Sequence, residues 1–76
     1  MPRVVVLGEA KSATQPRSVR DLGRLDALRA ALVRRGIDAG GAHLALFGRS
    51  GFDGALRGAA GRRTDVHLID LEELYR

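Results

Sequence analysis

The chain has 76 residues, 45% of them hydrophobic and 29% charged, with a formal net charge of +4. That length holds one small domain, the balance is globular rather than disordered, and the absence of cysteine excludes a disulfide framework and any thiolate metal site. Aromatic residues are scarce (Phe47, Phe52, Tyr75), so the core must come from aliphatic side chains.

The first element is an apolar run, Val4-Val5-Val6-Leu7, continuing through Gly8-Glu9-Ala10-Lys11. A short β-branched run reads as a buried strand, expected over residues 3–11. It is far too short for a signal-peptide core or a membrane span, so a cytoplasmic protein with no membrane partner is expected. Residues 12–17 contain Pro16 and small polar residues and read as a loop.

A helix is expected over 18–35. Ser18 supplies an N-cap, and Asp21 stands three residues on, where a capping box places a Glu or Gln. Val19, Leu22, Leu25, Leu28 and Leu32 recur at helical spacing as an apolar face. Arg34 and Arg35 fall in the last turn, where cations suit the helix dipole, and Gly36 follows in the position that ends helices. Arg17, Arg20 and Arg24 are spaced along one side and form a candidate stripe for a nucleic-acid backbone, although Asp21 and Asp26 intersperse it with opposite charge.

Beyond a turn at 38–41, His43 to Phe47 reads as a second strand and Phe52 to Ala60 as a short helix. Between them Gly48-Arg49-Ser50-Gly51 makes a tight connection. Its strand-to-helix position is a general anion-binding arrangement, which makes Arg49 and Ser50 further candidates for a phosphate contact, against simple capping by Ser50 or Asp53. Val66 to Asp70 reads as a third strand, and Leu71 to Tyr75 as a final helical turn. His43 and His67 carry no expected role.

Strands alternating with helices imply a single α/β unit over 1–76, a small βαβαβ arrangement of three-layer type with a mainly parallel sheet. A three-stranded parallel sheet is thin, its edges are open, and such sheets are normally covered on both faces. Something more is expected to complete it: a missing upstream, N-terminal half, or a second copy in a homo-oligomer.

Glu9 and Lys11 lie two residues apart on the first strand, so their side chains share a face. A carboxylate that binds a hard cation beside an ammonium that steadies phosphate charge is what metal-dependent phosphodiester hydrolysis requires. Taken alone, the pair reads more simply as an ion pair at a strand end. The segment Val4-Val5-Val6-Leu7-Gly8-Glu9-Ala10-Lys11-Ser12 resembles the motif strand of the PD-(D/E)xK, or restriction-endonuclease-like, superfamily. Leu46-Phe47-Gly48-Arg49-Ser50-Gly51-Phe52, followed by Ala55, Ala59 and Ala60, is similar to the strand, turn and helix of Mrr-like nucleases. It is more similar still to the nuclease-like C-terminal domain of certain prokaryotic ATP-binding proteins. Val66-His67-Leu68-Ile69-Asp70-Leu71-Glu72-Glu73-Leu74 resembles the closing strand and tail of those domains.

The resemblance implies a partial restriction-endonuclease-like fold. Its catalytic residues would be Glu9 and Lys11, with Glu9 a ligand of Mg²⁺ and DNA the partner. It also implies an Asp on a strand before the motif strand, and only Met1, Pro2 and Arg3 precede the apolar run here. Asp21, Asp26 and Asp70 fall on other elements. The expectation is therefore a truncated or degenerate nuclease-like module, inactive by itself because one carboxylate holds Mg²⁺ weakly. The alternative is a structural, dimerising or interaction module of an ATP-binding protein. A nucleotide-binding βαβ fragment is disfavoured, because Gly8 is the only glycine of the first strand and no Gly-x-Gly-x-x-Gly loop follows.

Overall fold

A computed structural model gives the fold, and it describes residues 3–10 and 15–74. Three strands, β1 (Val6–Ala10), β2 (His43–Gly48) and β3 (Val66–Asp70), alternate with the helices α1 (Val19–Arg34), α2 (Gly54–Gly61) and α3 (Leu71–Leu74). The strands pair in the order β1-β2-β3, all parallel, in a small α/β sheet.

Each helix starts where a side chain satisfies its free amides. Ser18 Oγ accepts from the Arg20 amide, and the Asp21 carboxylate accepts from the Ser18 amide at 2.9 Å, so an aspartate closes the capping box. At the other end Gly36 has φ +83°, and the Ile37 and Gly36 amides return to Leu32 and Val33 carbonyls. That left-handed turn, costly for any residue with a Cβ, stops α1. The second helix begins later than the expected residue 52. Asp53 accepts from the Leu56 amide at 2.8 Å and is its N-cap, while Phe52 bridges to Arg17 as extended backbone. The first strand is likewise shorter than 3–11, because Arg3 and Val4 run alongside Asp38 instead, with the Val4 amide bonded to the Asp38 carbonyl.

Register decides which side chains share a face. Leu7 pairs with Leu44, and Leu44 with Val66, so Leu7, Leu44, Leu46, Val66 and Leu68 point one way. They meet Leu22 and Leu25 of α1 and Leu56 of α2 in a single apolar core, with Phe52 at its border. Val6, Gly8, His43, Ala45, Phe47, His67 and Ile69 point the other way. Both main helices therefore lie on one face of the sheet, giving two layers where three were expected, because sequential parallel strands send both crossovers to the same side.

Helix geometry explains why Val19 and Leu28, expected in the apolar face, stand 46% exposed. At about 100° per residue, each lies about 90° from the Leu22–Leu25 midline, on opposite sides. Arg29 falls almost on that midline. It passes its guanidinium through the edge of the core to the Ala42 carbonyl (2.6 Å) and to Asp65 (2.9 Å).

Candidate functional site at the carboxyl edge of the sheet

Open α/β sheets bind ligands outside the carboxyl ends of their strands, where crossover loops and helix N-termini gather. In this chain that edge is built around Arg17. Its backbone is fixed on both sides: the Arg17 amide donates to the Gly51 carbonyl, and the Asp53 amide donates to the Arg17 carbonyl. The side chain turns inward and is only 2% exposed. Its Cγ passes Gly48 so closely that a Cβ there would lie 3.0 Å away, so the missing side chain of Gly48 is what admits the arginine.

At the end of this path Arg17 Nη2 meets Glu9 Oε1 at 3.0 Å, and Nε stands 3.5 Å from Asp21 Oδ2. Arg24, half exposed on α1, reaches the same Glu9 oxygen at 3.4 Å and also pairs with Asp21. Two guanidiniums and two carboxylates thus form one cluster joining β1 to α1. Arg17 Nε and Nη1 are sealed from solvent without a hydrogen-bond partner among the described residues. Taking an arginine out of water is costly, and the two carboxylates offset that cost. Beside the cluster an open cleft of about 180 Å³ is lined by Gln15, Pro16, Ser18 and Arg20.

The sequence-derived candidates separate in the structure. Glu9 projects to the helix-covered face, and Lys11 lies outside the described residues. Arg17 is withdrawn from the expected stripe and buried, whereas Arg20 is exposed on the rim of the cleft. Arg49 and Ser50 are exposed on the turn between β2 and α2, at the same edge. Sequence patterning missed the internal role of Arg17. Its signal is Gly48, a glycine ending a buried strand, where a side chain from elsewhere can pass.

For a magnesium site the edge offers carboxylate oxygens, and these are engaged by arginine. Mg²⁺ requires near-octahedral oxygen ligation, and the Glu9 oxygen that faces the cluster is already held by two cations. Asp70 shares the face of Glu9 but lies two strands away, so strand spacing alone separates them by roughly 10 Å, too far for one ion. Among the described residues no group of three or more His, Asp or Glu side chains is placed to hold a metal.

A second ionic cluster lies at the opposite, amino end of the sheet. Arg63 makes a two-pronged contact with Asp26, both bonds 2.9 Å, and also holds Asp65, which Arg29 shares. Hydrogen bonding to Arg63, then to Arg29, holds the Asp65 carboxyl well below the usual carboxylate range. Asp26 is lowered chiefly by Arg63, and Arg63 is raised in turn by Asp26 and then Asp65. Carboxylates with depressed folded values stabilise the fold at and above their ordinary pKa. That contribution is lost as pH falls through the folded values. This cluster pins α1 to the start of β3 and has the character of a structural clasp.

The chain matches no protein-family model, no curated protein and no solved structure. Among the described residues no helix is long and apolar enough to cross a membrane.

Proposed function

We propose that this chain is a nuclease-like module of the PD-(D/E)xK type that has no hydrolytic chemistry of its own and associates with nucleic acid, in the cytoplasm, through its carboxyl edge. The observation that carries the reading is the fate of Glu9. The residue that would hold the metal in such an enzyme is clasped by Arg17 and Arg24. The same edge presents Arg20 and Arg49 to solvent, with no ion pair to either among the described residues. Asp21, Asp26 and Asp65 are each matched by arginines, and the formal net charge of +4 leaves basic side chains in excess, the exposed Arg20 and Arg49 among them.

Fluorescence anisotropy with labelled duplex and single-stranded DNA tests this. Micromolar binding that weakens steeply with salt is expected. The double variant Arg20→Ala/Arg49→Ala should flatten the slope of log K against log salt by up to about 2. Plasmid incubated with Mg²⁺ or Mn²⁺ should stay intact with the wild-type chain and with Glu9→Ala alike. Absence of salt-dependent binding would sink the nucleic-acid role. Robust cutting abolished by Glu9→Ala would sink the claim of silence.

A second reading has its own support. The bare face of the sheet suits a structural or dimerising module, serving an ATP-binding protein or a second copy of the chain, because parallel sheets are ordinarily covered on both sides. Sedimentation that gives a stable monomer across the micromolar range removes self-association from this reading.

A further inference from the structure

The two histidines of the chain stand together on the bare face of the sheet. The pairing of Leu44 with Val66 sets Ala45 beside His67, so His43 and His67 are diagonal neighbours on adjacent strands. His43 Nδ1 lies 2.8 Å from His67 Nε2, and both rings are exposed. The ring planes differ by only 24° with centroids 5.0 Å apart. Near-coplanar rings at that separation, touching nitrogen to nitrogen, meet end to end, with each facing nitrogen aimed at the other ring. The acid nearest in register, Asp65, is taken up by Arg29 and Arg63. Among the described residues no carboxylate is hydrogen-bonded to the pair, which lies across the sheet from the Glu9 cluster.

We propose that His43 Nδ1 and His67 Nε2 form a two-imidazole site for a divalent transition-metal ion of the zinc, nickel and copper class. Neutral imidazole is a preferred ligand of these ions, whereas Mg²⁺ and Ca²⁺ select oxygen. Two metal–nitrogen bonds of about 2.0–2.1 Å at a tetrahedral angle span about 3.3 Å. The nitrogens must therefore part by about half an ångström, and each ring must turn by about 35° to aim its lone pair at one ion, a rotation open to exposed side chains. In the metal-free pair one facing nitrogen carries a proton and donates it to the other. On metal binding that ring shifts its proton to its outer nitrogen through solvent. Both facing lone pairs then bond the ion, and waters fill the remaining positions. No electron changes hands and, for the neutral pair, no net proton is released. The fixed strand register pre-positions both ligands, so little side-chain ordering is required on binding. This site is independent of the nucleic-acid reading and stands or falls apart from it.

Calorimetric titration of the full chain with ZnCl₂ at neutral pH tests the site, beside His43→Ala and His67→Ala. Both residues are exposed on the bare face, so the alanine variants should keep the wild-type circular dichroism spectrum. One ion per chain is expected for the wild type, with each variant weakened about tenfold or more, the loss of one of two ligands. MgCl₂ should give no such binding. A variant-free readout is NMR of the wild-type chain with substoichiometric Cu²⁺, whose paramagnetism should broaden the ring resonances of both histidines before any others. Zinc affinity that is unchanged in both variants, binding only at millimolar zinc, or broadening that spares the two rings overturns the proposal.

Discussion

On the helix side of the sheet Leu44 and Leu46 are completely buried beneath Leu22, Leu25 and Leu56, while on the opposite side Val6 is 55% exposed and both histidines stand in solvent. The same strands supply both faces, so strand propensity does not make the difference. Crossover topology does. With strands in sequential order and parallel, right-handed crossovers bring both helices to one side. The bare side is partly protected by its own Phe47, whose ring lies over Gly8; a Cβ at Gly8 would stand 3.1 Å from it. The covered face thus holds the fold together, and the bare face is where an additional layer or ligand gains most.

The largest test of this contrast is Arg17→Ala. The arginine is nearly fully buried on the covered side, and its removal leaves Asp21, itself only 6% exposed, beside an emptied channel. Arg24 still faces both carboxylates, so the cost is chiefly that of the emptied channel and the lost Arg17 contacts, about 2–5 kcal/mol, a large part of the stability of so small a domain. Urea denaturation should show the midpoint collapsing. A variant within about 1 kcal/mol of wild type would mean that Arg17 is not the organising residue of the carboxyl edge.

Leu46→Ala and Phe47→Ala compare the two faces directly, because they are neighbours pointing in opposite directions. The first deletes a fully buried side chain, and about 2–5 kcal/mol is expected. The second deletes a larger but half-exposed one, and should cost less than about half as much. Equal costs in the same urea titration would show that the bare face is covered in solution.

Much of this architecture was legible in the sequence. Ser18 and Gly36 bracket α1, Val66 to Asp70 delimits β3, and the alternation of strand with helix implied parallel pairing. These signals are local. The unreadable part was set by distance along the chain. Arg17 looks like an ordinary solvated residue before a helix. Its burial depends on Glu9, on Gly48 some thirty positions on, and on the turn at Gly51 to Asp53 that holds its backbone. The histidine pair depends on register between β2 and β3, which no run of residues displays. Glu9 on the first strand was legible as a candidate, but the two arginines that hold it were not.

The smallest expected effects come from two glycines of opposite character, each replaced by alanine. At Gly48 the added methyl would stand 3.0 Å from Arg17 Cγ and 3.3 Å from Phe52 Cε1, so overpacking of about 1–3 kcal/mol is expected. At Gly23, inside α1, nothing lies within 4 Å, so the methyl only restrains the unfolded chain and improves helix propensity, a gain of about 0.5–1 kcal/mol. The Gly48 cost tests the Arg17 channel specifically when measured again in an Arg17→Ala background destabilised no further than denaturation can resolve. If the arginine is the chief obstruction, most of the penalty disappears in the double variant, and the two substitutions are strongly non-additive. If the penalty persists, Phe52 and the Gly51 carbonyl are the obstruction, and Gly48 serves the turn rather than the buried arginine.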